Sequence, residues 1–197
     1  MYKHIALALA AVAFSTVAFA QDGFQIDYAA NLNIVDSFVN FTNSGALVLG
    51  GVSANLCINL YTFDPQEELI SCCTCSVTPN GLVSLSVIQS LISNPLTPAI
   101  PTSVVIKAVA STGTCNASSV TGVAHGLLAW GTTLHQNTST ATPTYAVTET
   151  AFSYADLSAA ELAHITSFCG FIQADGSKFG ICAGCPSNGL GASSSNQ

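Results

Sequence analysis

Eight cysteines in a chain of 197 residues constrain this sequence more than any other feature, and four of them form two Cys-x-x-Cys pairs, Cys72–Cys75 and Cys182–Cys185. In a reducing compartment such pairs serve as zinc ligands or redox centres. In an oxidising one they anchor a disulfide framework. The first twenty residues favour the second setting. Lys3 and His4 give a short basic start, Ile5 to Val17 is an apolar stretch broken only by Ser15 and Thr16, and Ala18-Phe19-Ala20 is a small-x-small cleavage site. The stretch is short for a membrane span, and polar Gln21-Asp22-Gly23 follows at once. Residues 1–20 read as a signal peptide, and the expected product is an exported chain without a membrane span.

Charge narrows the partners. Beyond residue 20 the only lysines are Lys107 and Lys178, there is no arginine, and ten carboxylates oppose them. Phosphate backbones need a basic footprint, so nucleic acid is excluded as a partner, and anionic membrane surfaces are disfavoured for the same reason. Charged residues make up 7% of the chain, far below the roughly 25% of an ordinary soluble domain. Neutral hydroxyl and amide groups must then fill the surface, as they do in extracellular adhesive and filament-forming modules.

Most of the chain reads as strands. Asn33 to Phe41 carries apolar residues on both parities, and Ala46 to Leu49, Leu56 to Phe63, Leu69 to Val77, Leu82 to Val87, Val104 to Val109, Val123 to Trp130 and Tyr145 to Thr148 are further runs. Turn signals such as Asp64-Pro65, Pro79-Asn80-Gly81 and Thr142-Pro143 separate them. One helix stands out. Ser158-Ala-Ala-Glu161 is a capping box, Leu162, Ile165, Cys169 and Ile172 recur at helical spacing, and Gly176 stops the run. A shorter helical piece is marked around Val87 to Ile92. These signals predict a mainly β, antiparallel sandwich-like single domain over 21–190, with one amphipathic helix near the C-terminus and a flexible tail at 191–197. Residues 21–51 precede the first cysteine and are expected to be an exchangeable N-terminal strand segment.

The expected framework uses Cys57, Cys72, Cys73, Cys75, Cys115, Cys169, Cys182 and Cys185 in four bonds. Along a strand, Cys72 and Cys73 point to opposite faces and so serve different partners. Cys169 lies on the buried face of the predicted helix, and Cys115 is the cysteine without a local partner. Cys115–Cys169 is the first pairing expected. Cys182 and Cys185 then close onto the group formed by Cys57, Cys72, Cys73 and Cys75.

Other chemistry is thinner. Cys72, Cys75, Cys182 and Cys185 form an alternative zinc site by ligand type and spacing. His125 and His135, with Trp130 between them, are a second candidate metal pair. Glu149 and Asp156 are the carboxylates a glycosidase would need. Trp130 with nearby tyrosines would suit a carbohydrate-binding face. Ser53 and Ser84 lack the Gly-x-Ser-x-Gly elbow of hydrolases. Asn40, Asn116 and Asn137 open glycosylation sequons. No constellation identifies a catalytic residue or a cofactor.

The segment Asn55-Leu-Cys57-Ile-Asn-Leu-Tyr61, followed by Cys72-Cys73-Thr-Cys75-Ser-Val-Thr-Pro79-Asn80-Gly81, resembles a family of small secreted cysteine-rich proteins of environmental bacteria. The Leu157-Ser-Ala-Ala-Glu161 stretch, Cys169-Gly-Phe-Ile-Gln173 and the C-terminal Cys-x-x-Cys carry the same likeness. The resemblance implies a secreted, cysteine-paired domain and no activity. The expected role is a non-enzymatic extracellular structural or surface protein, a filament or matrix subunit that self-associates by strand addition or meets other extracellular partners. A metal-binding protein and a carbohydrate-binding module or hydrolase stand behind it.

Overall fold

The computed structural model describes residues 22–137, 139 and 142–183, and the backbone of 192–194. The expected signal peptide, Cys185 and most of the expected tail lie outside the described residues. In chain order the strands are β1 (Phe24–Ala29), β2 (Ser37–Asn43), β3 (Val48–Leu49), β4 (Val52–Ser53), β5 (Leu56–Phe63), β6 (Leu69–Val77), β7 (Leu82–Ser86), β8 (Val104–Ser111), β9 (Leu127–Asn137), β10 (Thr144–Ala151), β11 (Ser153–Tyr154) and β12 (Ala192–Ser194). A single π-helical turn, Val87–Leu91, follows β7, and one α-helix, α1 (Ala159–Asp175), follows β11.

These strands build two antiparallel sheets and a two-strand flap. The larger sheet runs β11-β1-β8-β5-β6-β12, the smaller β10-β9-β2-β7, and β3 pairs with β4. Between the sheets lies the main core, in which Ile58, Leu60, Ile106 and Ala108 of one meet Val39, Phe41, Leu85 and Leu127 of the other. A second core lies on the opposite face of the larger sheet, where Tyr61, Phe63, Cys72 and Val109 meet Ile165, Cys169 and Ile172 of α1. The larger sheet is therefore covered on both faces, which explains why every residue of β5 is buried and why its sequence does not alternate. The fold is a sandwich with a helix laid on its outside.

Local chemistry sets the boundaries. The Ser158 hydroxyl caps α1 by accepting the Glu161 N–H at 3.0 Å, and Gly176 ends it in the left-handed region at φ 72°. The Glu161 carboxylate does not complete the capping box. It turns instead to the Lys107 ammonium at 2.5 Å. The strand expected over Asn33 to Phe41 begins only at Ser37, because Asn31 is left-handed at φ 59° and the next residues form a turn. In that turn Asp36 accepts the Ser37 and Ile88 N–H groups at 2.8 and 3.0 Å and also the Ser86 hydroxyl, so it pins the π-helical turn to β2. The strand expected from Val123 begins at Leu127, because Gly126 sits at φ 100°, and it runs on to Asn137.

Residues 22–51 of the expected exchangeable segment contribute strands to both sheets of their own chain. β1 is hydrogen-bonded along its whole length to β8 in its own chain, and β2 lies between β9 and β7 in the smaller sheet. The segment enters both sheets, so releasing it would open both.

The disulfides correct the first expected pairing. Cys115 bonds Cys57, with Cα atoms 5.1 Å apart, and Cys169 bonds Cys72, at 5.9 Å. The reason lies in the register. Cys57 is opposite Ser111 at the end of β8, so the chain four residues later returns to it. Cys72 faces the helix and meets Cys169 there, while neighbouring Cys73 points into the main core and bonds Cys182 at 5.5 Å. Cys75 is disulfide-bonded as well. The alternative zinc set fails on the same ground, since Cys72 and Cys182 are bonded to different partners and offer no thiolate.

Candidate functional site

Among the described residues the surface offers an exposed sheet edge and a groove beside the helix. The edge is best understood from the edges that are closed. Along the outer side of β6, the Leu96 N–H donates to the Ile70 carbonyl, the Cys72 N–H to the Gly180 carbonyl, and the Cys182 N–H to the Cys72 carbonyl, at 2.8 to 3.2 Å. Further along, the backbone of Ala192–Ser194 pairs with Cys75 to Val77. The Cys73–Cys182 bond holds this cover in place. At the other side of the larger sheet, β11 is only two residues long.

The smaller sheet is not covered in this way. Among the described residues its β10 strand pairs with β9 alone, from Thr144 opposite Asn137 to Ala151 opposite Trp130, and all eight of its residues are exposed. β2 pairs with β9 only as far as Thr133, so residues 134–137 and 144–147 continue as a two-stranded ribbon past the body of the sheet. One face of β10 presents Tyr145, Val147 and Glu149, and the other Thr144, Ala146, Thr148 and Thr150. Tyr145 is 50% and Val147 58% exposed. There is no proline and no bulge within the strand, and Glu149 is its only charge. Natural sheets usually blunt such an edge with lysine, proline or a bulge.

The groove lies where the turn between β5 and β6 meets α1. A cavity of about 460 Å³ is lined by buried Leu69 and Ile165, by Phe63 and Phe168, and by Glu67 and Glu68. His164 and the loop at Leu96 to Pro98 complete it. A smaller cavity of about 310 Å³ adjoins it and shares Phe63, Glu67 and His164. Here Lys107 holds its ammonium 4.6 Å above the Phe63 ring while bonding Glu161. The turn itself is built by Asp64, whose carboxylate accepts the Gln66 and Glu68 N–H groups at 2.9 and 3.0 Å. Glu67 is forced to φ 67°, where glycine is usual.

The other sequence candidates stay apart. His125 precedes the bend at Gly126, and His135 lies eight residues into β9, with its ring 3.1 Å from the Thr148 hydroxyl. Eight residues of strand span roughly 27 Å, so the two imidazoles cannot share an ion. Among the described residues no group of three or more His, Cys, Asp or Glu could hold a metal. Glu149 lies on the edge of the smaller sheet, whereas Asp156 lies in the segment between β11 and α1. Trp130 contacts no tyrosine ring among the described residues. Of the sequons, Asn40 is buried and donates its amide nitrogen to the Trp130 carbonyl and Thr132 hydroxyl, which leaves it closed to a glycan.

Sequence reasoning missed the groove, because its carboxylates and rings come from segments about 100 residues apart. The left-handed Glu67 was signalled only by Asp64-Pro65, a turn start without a following glycine. Compared with known proteins, the chain matches no family model, no curated protein and no solved structure. No helix among the described residues is long and apolar enough to cross a membrane.

Proposed function

We propose that this chain is a non-enzymatic extracellular structural protein whose copies join through the open edge of the smaller sheet. The observation that carries this reading is β10: eight consecutive exposed residues with a single charge, in a strand that among the described residues pairs on one side only. An edge of that kind accepts a further strand through main-chain hydrogen bonds. The occupant is a second copy, because the same sheet ends on its other side in β7, which among the described residues pairs with β2 alone. Joining β10 of one copy to β7 of the next is a head-to-tail contact, and such a contact repeats into a filament when it does not close into a ring. Disulfides suit an oxidising surrounding, and the net charge of -7 is a repulsion that strand pairing between copies has to outweigh. Export rests on the leader-like first twenty residues.

The test is sedimentation together with electron microscopy of the purified chain and of the double variant Tyr145→Lys/Val147→Lys. Oligomers that lengthen with concentration are expected for the natural chain, and monomers of unchanged thermal stability for the variant. A natural chain that stays monomeric up to high concentration contradicts the reading.

A further inference from the structure

We infer that the groove between α1 and the β5–β6 turn is a binding site for a small organic cation with an apolar body, such as a protonated aryl- or alkylamine. The cavity of about 460 Å³ is large enough for such a molecule. Its deep surfaces are apolar: Leu69 and Ile165 are buried, and Phe63 and Phe168 stand as aromatic walls. Its mouth is anionic, because Glu67 and Glu68 are both exposed and neither is in an ion pair among the described residues.

The chain itself shows how this surface treats a cation. In the adjoining cavity an ammonium group, that of Lys107, rests on an aromatic ring and against a carboxylate. The larger cavity likewise has an aromatic ring, Phe168, which meets His164 edge-on at 4.7 Å, and two carboxylate residues, Glu67 and Glu68, in its lining, and among the described residues no lysine lines it. Lys107 is engaged with Glu161, and Lys178 lines a different cavity near the C-terminal end of α1. An apolar body in the cavity would displace poorly held water, while its cationic head would meet two carboxylates and a ring face. An anion would face like charge, and a neutral ligand would gain only the apolar contact.

The experiment is a methyl-detected NMR titration of the whole protein with benzylammonium, benzyl alcohol and benzoate, reading the Leu69 and Ile165 methyl groups. Benzylammonium is expected to shift both and to saturate in the millimolar range, on the order of 4 kcal/mol of binding. Benzyl alcohol should bind at least about fivefold more weakly, and benzoate should not bind. Glu67→Gln/Glu68→Gln, two exposed turn positions, should weaken benzylammonium roughly fivefold or more, and 0.5 M salt should weaken it in the natural chain. Equal binding of the alcohol, insensitivity to both the double variant and salt, or no shift at either methyl group would overturn the assignment.

Discussion

Glu67 and Asp27 show how single positions carry strain and charge. Glu67 occupies a left-handed conformation at φ 67° on the turn between β5 and β6. For a residue with a Cβ that conformation costs on the order of 1 kcal/mol, so Glu67→Gly should raise the unfolding free energy by about 0.5–1 kcal/mol. Urea denaturation at constant slope checks it, and a loss of stability would contradict it. Asp27 lies on β1 with its carboxylate pressed against Gly131 of β9, where a Cβ would run into Asp27 Oδ2. Gly131→Ala should therefore destabilise by about 1–3 kcal/mol, with the Tm as readout. Burial pushes the Asp27 carboxyl above its ordinary range, although the Tyr28 amide pulls the other way. The folded state thus holds that proton more tightly than the unfolded chain. Its contribution is fully present below the ordinary carboxylate range and is lost as pH rises through the higher folded value. Asp27→Asn should flatten that part of the pH profile and raise the Tm at neutral pH. A variant with an unchanged profile would show that the carboxyl titrates as in the unfolded chain.

At the scale of elements, the helix and the C-terminal segment depend on cross-links to β6. The Cys72–Cys169 bond closes 97 residues and Cys73–Cys182 closes 109, each worth about 4–5 kcal/mol in the chain-entropy account. Replacing Cys72 and Cys169 together by Ala should lower stability by up to that amount and release α1 first, seen as early amide exchange over residues 159–175. Simultaneous loss of protection in β5 would contradict the idea of a separately clasped helix. The elements were unevenly legible in the sequence. Ser158, the Leu162-Ile165-Cys169-Ile172 spacing and Gly176 marked α1 correctly, because capping and periodicity are local. The opposed directions of Cys72 and Cys73 were legible from strand geometry too. Pairing was not, since Cys57 meets Cys115 only through a β5–β8 register set by packing. The ends of β2 and β9 were misplaced because Asn31 and Gly126 turn the chain left-handed there, which apolar patterning does not report. The groove was invisible for a further reason: the residues that line it lie on the β5–β6 turn and on α1, and tertiary packing alone brings them together.

At the scale of the whole molecule, the layers account for what is covered and what is left open. The larger sheet is covered on both faces and guarded along β6 by the C-terminal segment, whereas the smaller sheet ends in the exposed strand β10. β1 and β2 are paired within both sheets of their own chain. The proposed assembly therefore runs through β10. Its most direct test is amide exchange measured across a range of protein concentrations. The amides of Thr144–Ala151 and of β7 should gain protection as concentration rises while those of α1 stay constant; exchange in β10 that does not depend on concentration would contradict it.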